Sequence, residues 1–78
     1  MLVLTLAREL LERPDVTLDD DFFTVGGDSI SAMHLVGRIS RQTGLRLRVS
    51  WVYATPVLRD LAAAVEQARA NGRVGHAS

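Results

Sequence analysis

The side chain of this 78-residue chain best placed for covalent chemistry is Ser29, which follows Gly26-Gly27-Asp28 and opens a stretch of helical periodicity. As a catalytic nucleophile it would need a base. The nearest histidine, His34, is five residues on, and at about 100° per residue it points away from Ser29 on an α-helix. A nucleophile elbow wants glycine two residues after the serine, where this chain has Ser31, and a chain this short cannot build the sheet that the elbow needs. No phosphate-loop lysine follows Gly26-Gly27, and two distant histidines without any cysteine make no metal site. Intrinsic catalysis is therefore not expected.

Ser29 must be positioned by the helix it begins. Asp28 reads as an N-cap whose carboxylate accepts an amide from Ile30 or Ser31, and Gly44 reads as the stop of a helix over Ser29 to Thr43. Ala32, Leu35, Val36 and Ile39 form its core-facing seam, each large side chain contributing about 1.5 to 3 kcal/mol if fully buried. Ile30, Met33, His34 and Gly37 repeat that spacing on another face, which a small bundle cannot also bury. That face is a candidate partner surface, unless Ile30 and Met33 pack under the preceding loop.

The other elements follow from the same patterns. Val3, Leu6, Ala7 and Leu10 predict a first helix over roughly residues 2 to 12, closed by Arg13-Pro14. Residues 14 to 28 carry turn chemistry with Val16, Leu18, Phe22, Phe23 and Val25 scattered through it, so this loop must be pinned to the core. Leu45 to Val49 is a short connection, and Trp51 to Ala54 predicts one more helical turn. Thr55 as N-cap and Pro56 at the first position predict the start of a last helix. Its inner stripe is Leu58, Leu61, Ala62, Val65 and Ala68, and Asn71-Gly72 is its expected stop. The expectation is one all-α domain over residues 1–72, a small four-helix bundle with three long helices and one short one, followed by a disordered tail at 73–78.

Composition narrows the partners. Net charge is zero, with nine arginines, no lysine and nine acids, which lacks the electrostatic footprint of nucleic-acid binding. Seven of the nine acids lie between Glu9 and Asp28, while Arg38, Arg41, Arg46 and Arg48 follow, an asymmetry that can orient a partner or simply be solvated surface. No apolar run is long enough for a membrane span, and Leu2 to Leu6 lack the flanks of a secretory signal, so a cytoplasmic location is expected. Without cysteine, packed helices must supply the stability.

Phe22-Phe23-Thr24-Val25-Gly26-Gly27-Asp28-Ser29-Ile30 resembles the FFxxGGDS(I/L) attachment motif of peptidyl carrier proteins, the thiolation domains of the acyl carrier protein-like family. The order of helix, long loop, helix, short helix and helix is similar too, so the resemblance covers roughly residues 3 to 69. It implies an acyl carrier protein-like bundle in which Ser29 accepts 4′-phosphopantetheine from coenzyme A, transferred by a separate, magnesium-dependent phosphopantetheinyl transferase. The arm would carry aminoacyl or peptidyl thioesters in nonribosomal peptide, and so secondary metabolite, biosynthesis. Implied partners are an adenylation enzyme, condensation or tailoring enzymes and a thioesterase, with the carrier itself a monomer and not an enzyme.

The position suits that role. A phosphodiester on Ser29 would lie beside the free amides and partial positive charge of the helix start. Gly26 and Gly27 would offer positive φ and no Cβ, allowing close approach of an enzyme. Asp28 combines a cap with a contact for the transferase, and Phe22 and Phe23 are expected in the core. Partner contacts fall to Ile30, Met33 and Trp51, the last being either core or an interface anchor, whereas Tyr53, at the family's usual aromatic position, is expected to pack inward. The family's last helix usually opens with Pro-Thr; here Val57 follows Pro56, with Thr55 taking over the cap. Beginning at Met1 with a short tail, the chain reads as a free-standing carrier, though a segment of a synthetase would look the same. Two other readings are a polyketide-type acyl carrier, which the paired phenylalanines disfavour, and a helix-turn-helix interaction module, which the long first loop disfavours.

Overall fold

The computed structural model describes the backbone of residues 2–76 and the side chains of residues 2–71. Four helices succeed one another: α1 (Leu2–Leu11), α2 (Ser29–Thr43), α3 (Ser50–Ala54) and α4 (Leu58–His76). The all-α, acyl carrier protein-like expectation holds. Among the described residues no helix is long and apolar enough to cross a membrane.

The apolar stripes meet in one core. Val3, Leu6 and Ala7 of α1 face Ala32, Leu35, Val36 and Ile39 of α2 and Leu58, Leu61, Ala62 and Val65 of α4. Val52 adds the inner face of α3, and Val16 and Phe22 bring the long loop into the same cluster. Leu10, Leu18, Phe23 and Val25 pack half-buried around its edge.

α1 ends in a paired turn: the amide of Arg13 donates to Arg8 O at 3.0 Å and that of Glu12 to Glu9 O at 3.3 Å. This geometry puts Glu12 in the left-handed region, φ 54°, where glycine is the usual residue. Arg8 then reaches forward, its Nε donating to Val16 O at 2.7 Å, and fastens the loop beside the helix that has just ended. α2 ends as its sequence predicts, on Gly44 at φ 78° with its amide on Ser40 O at 2.8 Å.

The three successive aspartates of the loop do separate jobs. Asp19 pairs with Arg59 at 2.8 Å, an exposed contact of small energetic weight. The Asp20 carboxylate accepts the Thr17 amide at 2.7 Å, and Asp21 accepts those of Phe23 at 2.8 Å and Thr24 at 3.2 Å. Backbone groups finish the docking, with the Phe22 amide donating to Pro56 O at 2.8 Å and an isolated antiparallel bridge joining Asp21 to Val57.

Two helix boundaries differ from those the sequence predicts. Thr55 does not cap α4; its hydroxyl donates back to Trp51 O at 2.6 Å and closes α3. α4 starts at Leu58 because loop carbonyls take its first amides, Leu58 N donating to Asp20 O at 3.0 Å and Arg59 N to Leu18 O at 2.8 Å. A tertiary cap has replaced a local one. At the far end Asn71-Gly72 does not stop α4, which continues to His76. Gly72 and Gly75 each cost a helix about 1 kcal/mol relative to alanine, and the turns before them are rich in the helix formers Ala, Glu, Gln and Arg. Residues 77 and 78 of the expected tail lie outside the described residues.

Candidate carrier site

Ser29 is the first residue of α2 and is exposed. Asp28 caps it in extended conformation, φ −137° and ψ −173°, with Oδ1 accepting the Ser31 amide at 2.8 Å while its carbonyl accepts from Ala32 at 2.9 Å. Hydrogen bonds from Ser31, its amide foremost, hold the Asp28 carboxyl below its ordinary range, with a smaller contribution from the amide of Ile30. The expected cap is thus present, with the carboxylate held on the Ser31 amide.

The two glycines divide their work in a way the sequence does not show. Gly26 has φ 117° with open space where a Cβ would be, so it serves the turn. Gly27 does not have positive φ, which corrects the expectation for that residue. Its missing side chain faces inward: a Cβ there would overlap the ring carbons of Phe22 and lie 2.6 Å from the Phe22 carbonyl oxygen. The amide of Gly27 donates to that same oxygen at 2.9 Å. Its lack of a Cβ lets the buried phenylalanine pack against the backbone two residues before the serine.

From Phe22 an aromatic chain leads back to the hydroxyl. Phe22 meets Phe23 edge-on, with centroids 5.5 Å apart and planes at 85°. Phe23, half-buried rather than in the core, stacks on Tyr53 at 4.9 Å and 12°. The Tyr53 hydroxyl lies 2.8 Å from Ser29 Oγ, within hydrogen-bond distance. This corrects the inward packing expected for Tyr53, which is 52% exposed. Val52, its neighbour, takes the buried position on α3, and Tyr53 is rotated onto the surface beside the start of α2.

The remaining candidates separate clearly. Ile30 and Met33 are 65% and 62% exposed on α2, next to Ser29, and do not pack under the loop. Met33, His34 and Gly37 share a shallow hollow with Arg38 and Arg41. Trp51 lies half-buried against the core edge and lines a different hollow with Ala54, Thr55 and Ala64. That hollow is not the one beside Met33.

The chain belongs to the family described as "Phosphopantetheine attachment site", whose pattern matches residues 2–65. This is the carrier class that the fold and the motif define. Among similar proteins, Nonribosomal peptide synthetase dtxS1 of Metarhizium robertsii is 53% identical over 55 residues, 70% of this chain and 1% of that protein. Phosphinothricin tripeptide synthetase PhsB of Streptomyces viridochromogenes is 47% identical over 62 residues, 80% of this chain and 5% of its own length. Bacitracin synthase 2 of Bacillus licheniformis is 37% identical over 60 residues, covering 77% of this chain and 2% of the synthase. The chain thus corresponds to a small part of each relative. No solved structure gives a significant match.

The group this family carries is 4′-phosphopantetheine, held covalently. The residues around Ser29 suit it: an exposed hydroxyl, first-turn amides of a fifteen-residue helix, and the Tyr53 hydroxyl within hydrogen-bond distance. When bound, the group supplies a thiol on a flexible arm, to which acyl cargo attaches as a thioester.

Proposed function

We infer that the chain is a peptidyl carrier of nonribosomal peptide synthesis, with 4′-phosphopantetheine mounted on Ser29. The observation that carries this reading is the exposed Ser29 hydroxyl at the first position of α2, behind a loop anchored by buried Phe22. In the transfer, Ser29 Oγ bonds to the phosphorus that bears pantetheine in coenzyme A. The P–O bond to adenosine 3′,5′-bisphosphate breaks, and the serine proton leaves to a base of the transferase. Asp28 and Gly27 hold the hydroxyl's surroundings, the first by capping α2 and the second by seating Phe22.

The carrier domain is proposed as residues 1–72, with α4 running on past that boundary to His76, and acts as a monomer in the cytoplasm. It leaves bond-making to a phosphopantetheinyl transferase, an adenylation enzyme, condensation or tailoring enzymes and a thioesterase. The peptidyl branch is favoured over the polyketide branch because the relatives are peptide synthetases.

Intact mass after incubation with coenzyme A, magnesium and a broad-specificity transferase tests the attachment. Wild type should gain one phosphopantetheinyl group and Ser29→Ala none; no gain on wild type would defeat the reading. Charging of the modified form by an amino-acid adenylation enzyme, and not by a polyketide acyltransferase, tests the cargo class.

A further inference from the structure

The hydroxyl of Ser29 is met by a side chain from a helix other than its own. Tyr53 of α3 places its phenol oxygen 2.8 Å from Ser29 Oγ, and either oxygen can donate in that pair. The ring is not free to drift away, since it stacks on Phe23 at 4.9 Å, and Phe23 in turn leans edge-on against fully buried Phe22.

The geometry points to Tyr53 as a phosphate-binding residue of the modified carrier, donating a hydrogen bond to the phosphodiester and thereby tying α3 to the start of α2. The inference rests on Ser29 being the modified residue. Esterification removes the hydrogen from Ser29 Oγ, so Tyr53 is left as the only donor of the pair. Its acceptor changes as well. The phosphorus is bonded to the very atom that Tyr53 already touches, and it brings anionic oxygens, to which hydrogen bonds are shorter and roughly twice as strong as those between neutral groups. Helix amides offer backbone donors to any anion at such a position; Tyr53 adds a directed donor from a second element. The contact should therefore strengthen on modification, and α3, only five residues long, should be held more firmly in the carrier that bears cargo.

Tyr53→Phe keeps the ring and removes the hydroxyl. Wild type and variant are modified with coenzyme A and a transferase and checked by intact mass, which tests the attachment separately. At neutral pH the ³¹P resonance of the phosphodiester should differ between the two folded proteins and coincide once both are unfolded in urea. Modification should raise the melting temperature of wild type more than that of Tyr53→Phe, by about 3 °C. Tyr53 is the chain's one tyrosine, so a ¹³Cζ label in wild type alone reports its hydroxyl without any substitution and should shift on modification. Mass gain with identical folded ³¹P resonances, equal melting increments and an unmoved ¹³Cζ signal would overturn the role of Tyr53 and leave Ser29 in place. Absence of mass gain on wild type would strike the attachment reading instead.

Discussion

Gly27 and Phe22 occupy space that only a glycine allows them to share: the Phe22 ring fills the place of the absent Cβ, and the Phe22 carbonyl accepts the Gly27 amide at 2.9 Å. Phe22 is fully buried, and the nearest backbone oxygen would lie only 2.6 Å from an added Cβ, so neither neighbour can give way cheaply. Gly27→Ala should therefore destabilise the fold by about 1–3 kcal/mol through overpacking. A fall in melting temperature on the order of 10 °C is expected by circular dichroism. A change below about 2 °C would mean that the loop can move away from Phe22 at little cost.

Asp28 gives a pH prediction with a definite sign. Its folded carboxyl lies below the ordinary value of 3.8, chiefly because the Ser31 amide donates to it. A group depressed in the folded state contributes stability fully above its unfolded pKa and loses it as pH falls through the folded value. Wild type should thus lose the cap's contribution below about pH 4. Asp15, depressed mainly by its hydrogen bond from Arg13, acts in the same direction and the same window. Asp28→Asn keeps an accepting oxygen without the titration, so its melting temperature should decline less between pH 5 and pH 3. Equal declines for the two proteins would assign the acid sensitivity to other carboxylates.

How far the sequence discloses the site depends on the range of each contact. The start of α2 is local: Asp28, the seam from Ala32 to Ile39 and Gly44 all speak within one segment, and cap, core face and stop lie where their types and spacing put them. Phe22 is likewise readable as an anchor, because a large aromatic in a polar loop must be buried somewhere. Tyr53 is different. Its contact to Ser29 spans 24 residues and its stack on Phe23 joins two segments that no periodicity relates. The start of α4 is hidden for the same reason, since the carbonyls that satisfy its amides belong to Leu18 and Asp20. Thr55-Pro56 is a sound local signal overridden by the docked loop. For Gly27 the residue type was informative and its reason was not: glycine announces a missing Cβ without saying which neighbour uses the space.

Glu12 holds a position usually given to glycine. At φ 54° its Cβ crowds the following carbonyl, a cost of about 1–2 kcal/mol for an L-residue. Glycine removes that cost but adds about 0.4–1 kcal/mol of unfolded-state entropy. Glu12→Gly should leave the paired turn of Arg13 and Arg8 intact and raise stability by up to about 1.5 kcal/mol, measured by urea denaturation. A loss of stability would show that the Glu12 side chain contributes more than its backbone strain costs.

Ile30 and Met33 make the last prediction, because their exposure separates folding from recognition. Each is more than 60% exposed on the face of α2 that also presents Ser29, so neither contributes much to the core. Truncation at such positions shifts stability by no more than about 0.5 kcal/mol. If partner enzymes grip the carrier through this apolar face, the same truncations remove contacts made only in the complex, where a residue that matters is worth about 1 kcal/mol or more. The double variant Ile30→Ala, Met33→Ala should therefore melt within about 3 °C of wild type. Steady-state kinetics with a cognate adenylation enzyme should show KM for the modified carrier raised about fivefold or more, with kcat nearly unchanged, because the reacting thiol on its arm is untouched. Trp51, in a separate hollow, provides the contrast: Trp51→Ala should lower stability by loosening the core edge and change KM little. Should the Ile30 and Met33 substitutions leave KM unaltered while Trp51→Ala raises it, the docking face lies on the α3 and α4 side of the domain.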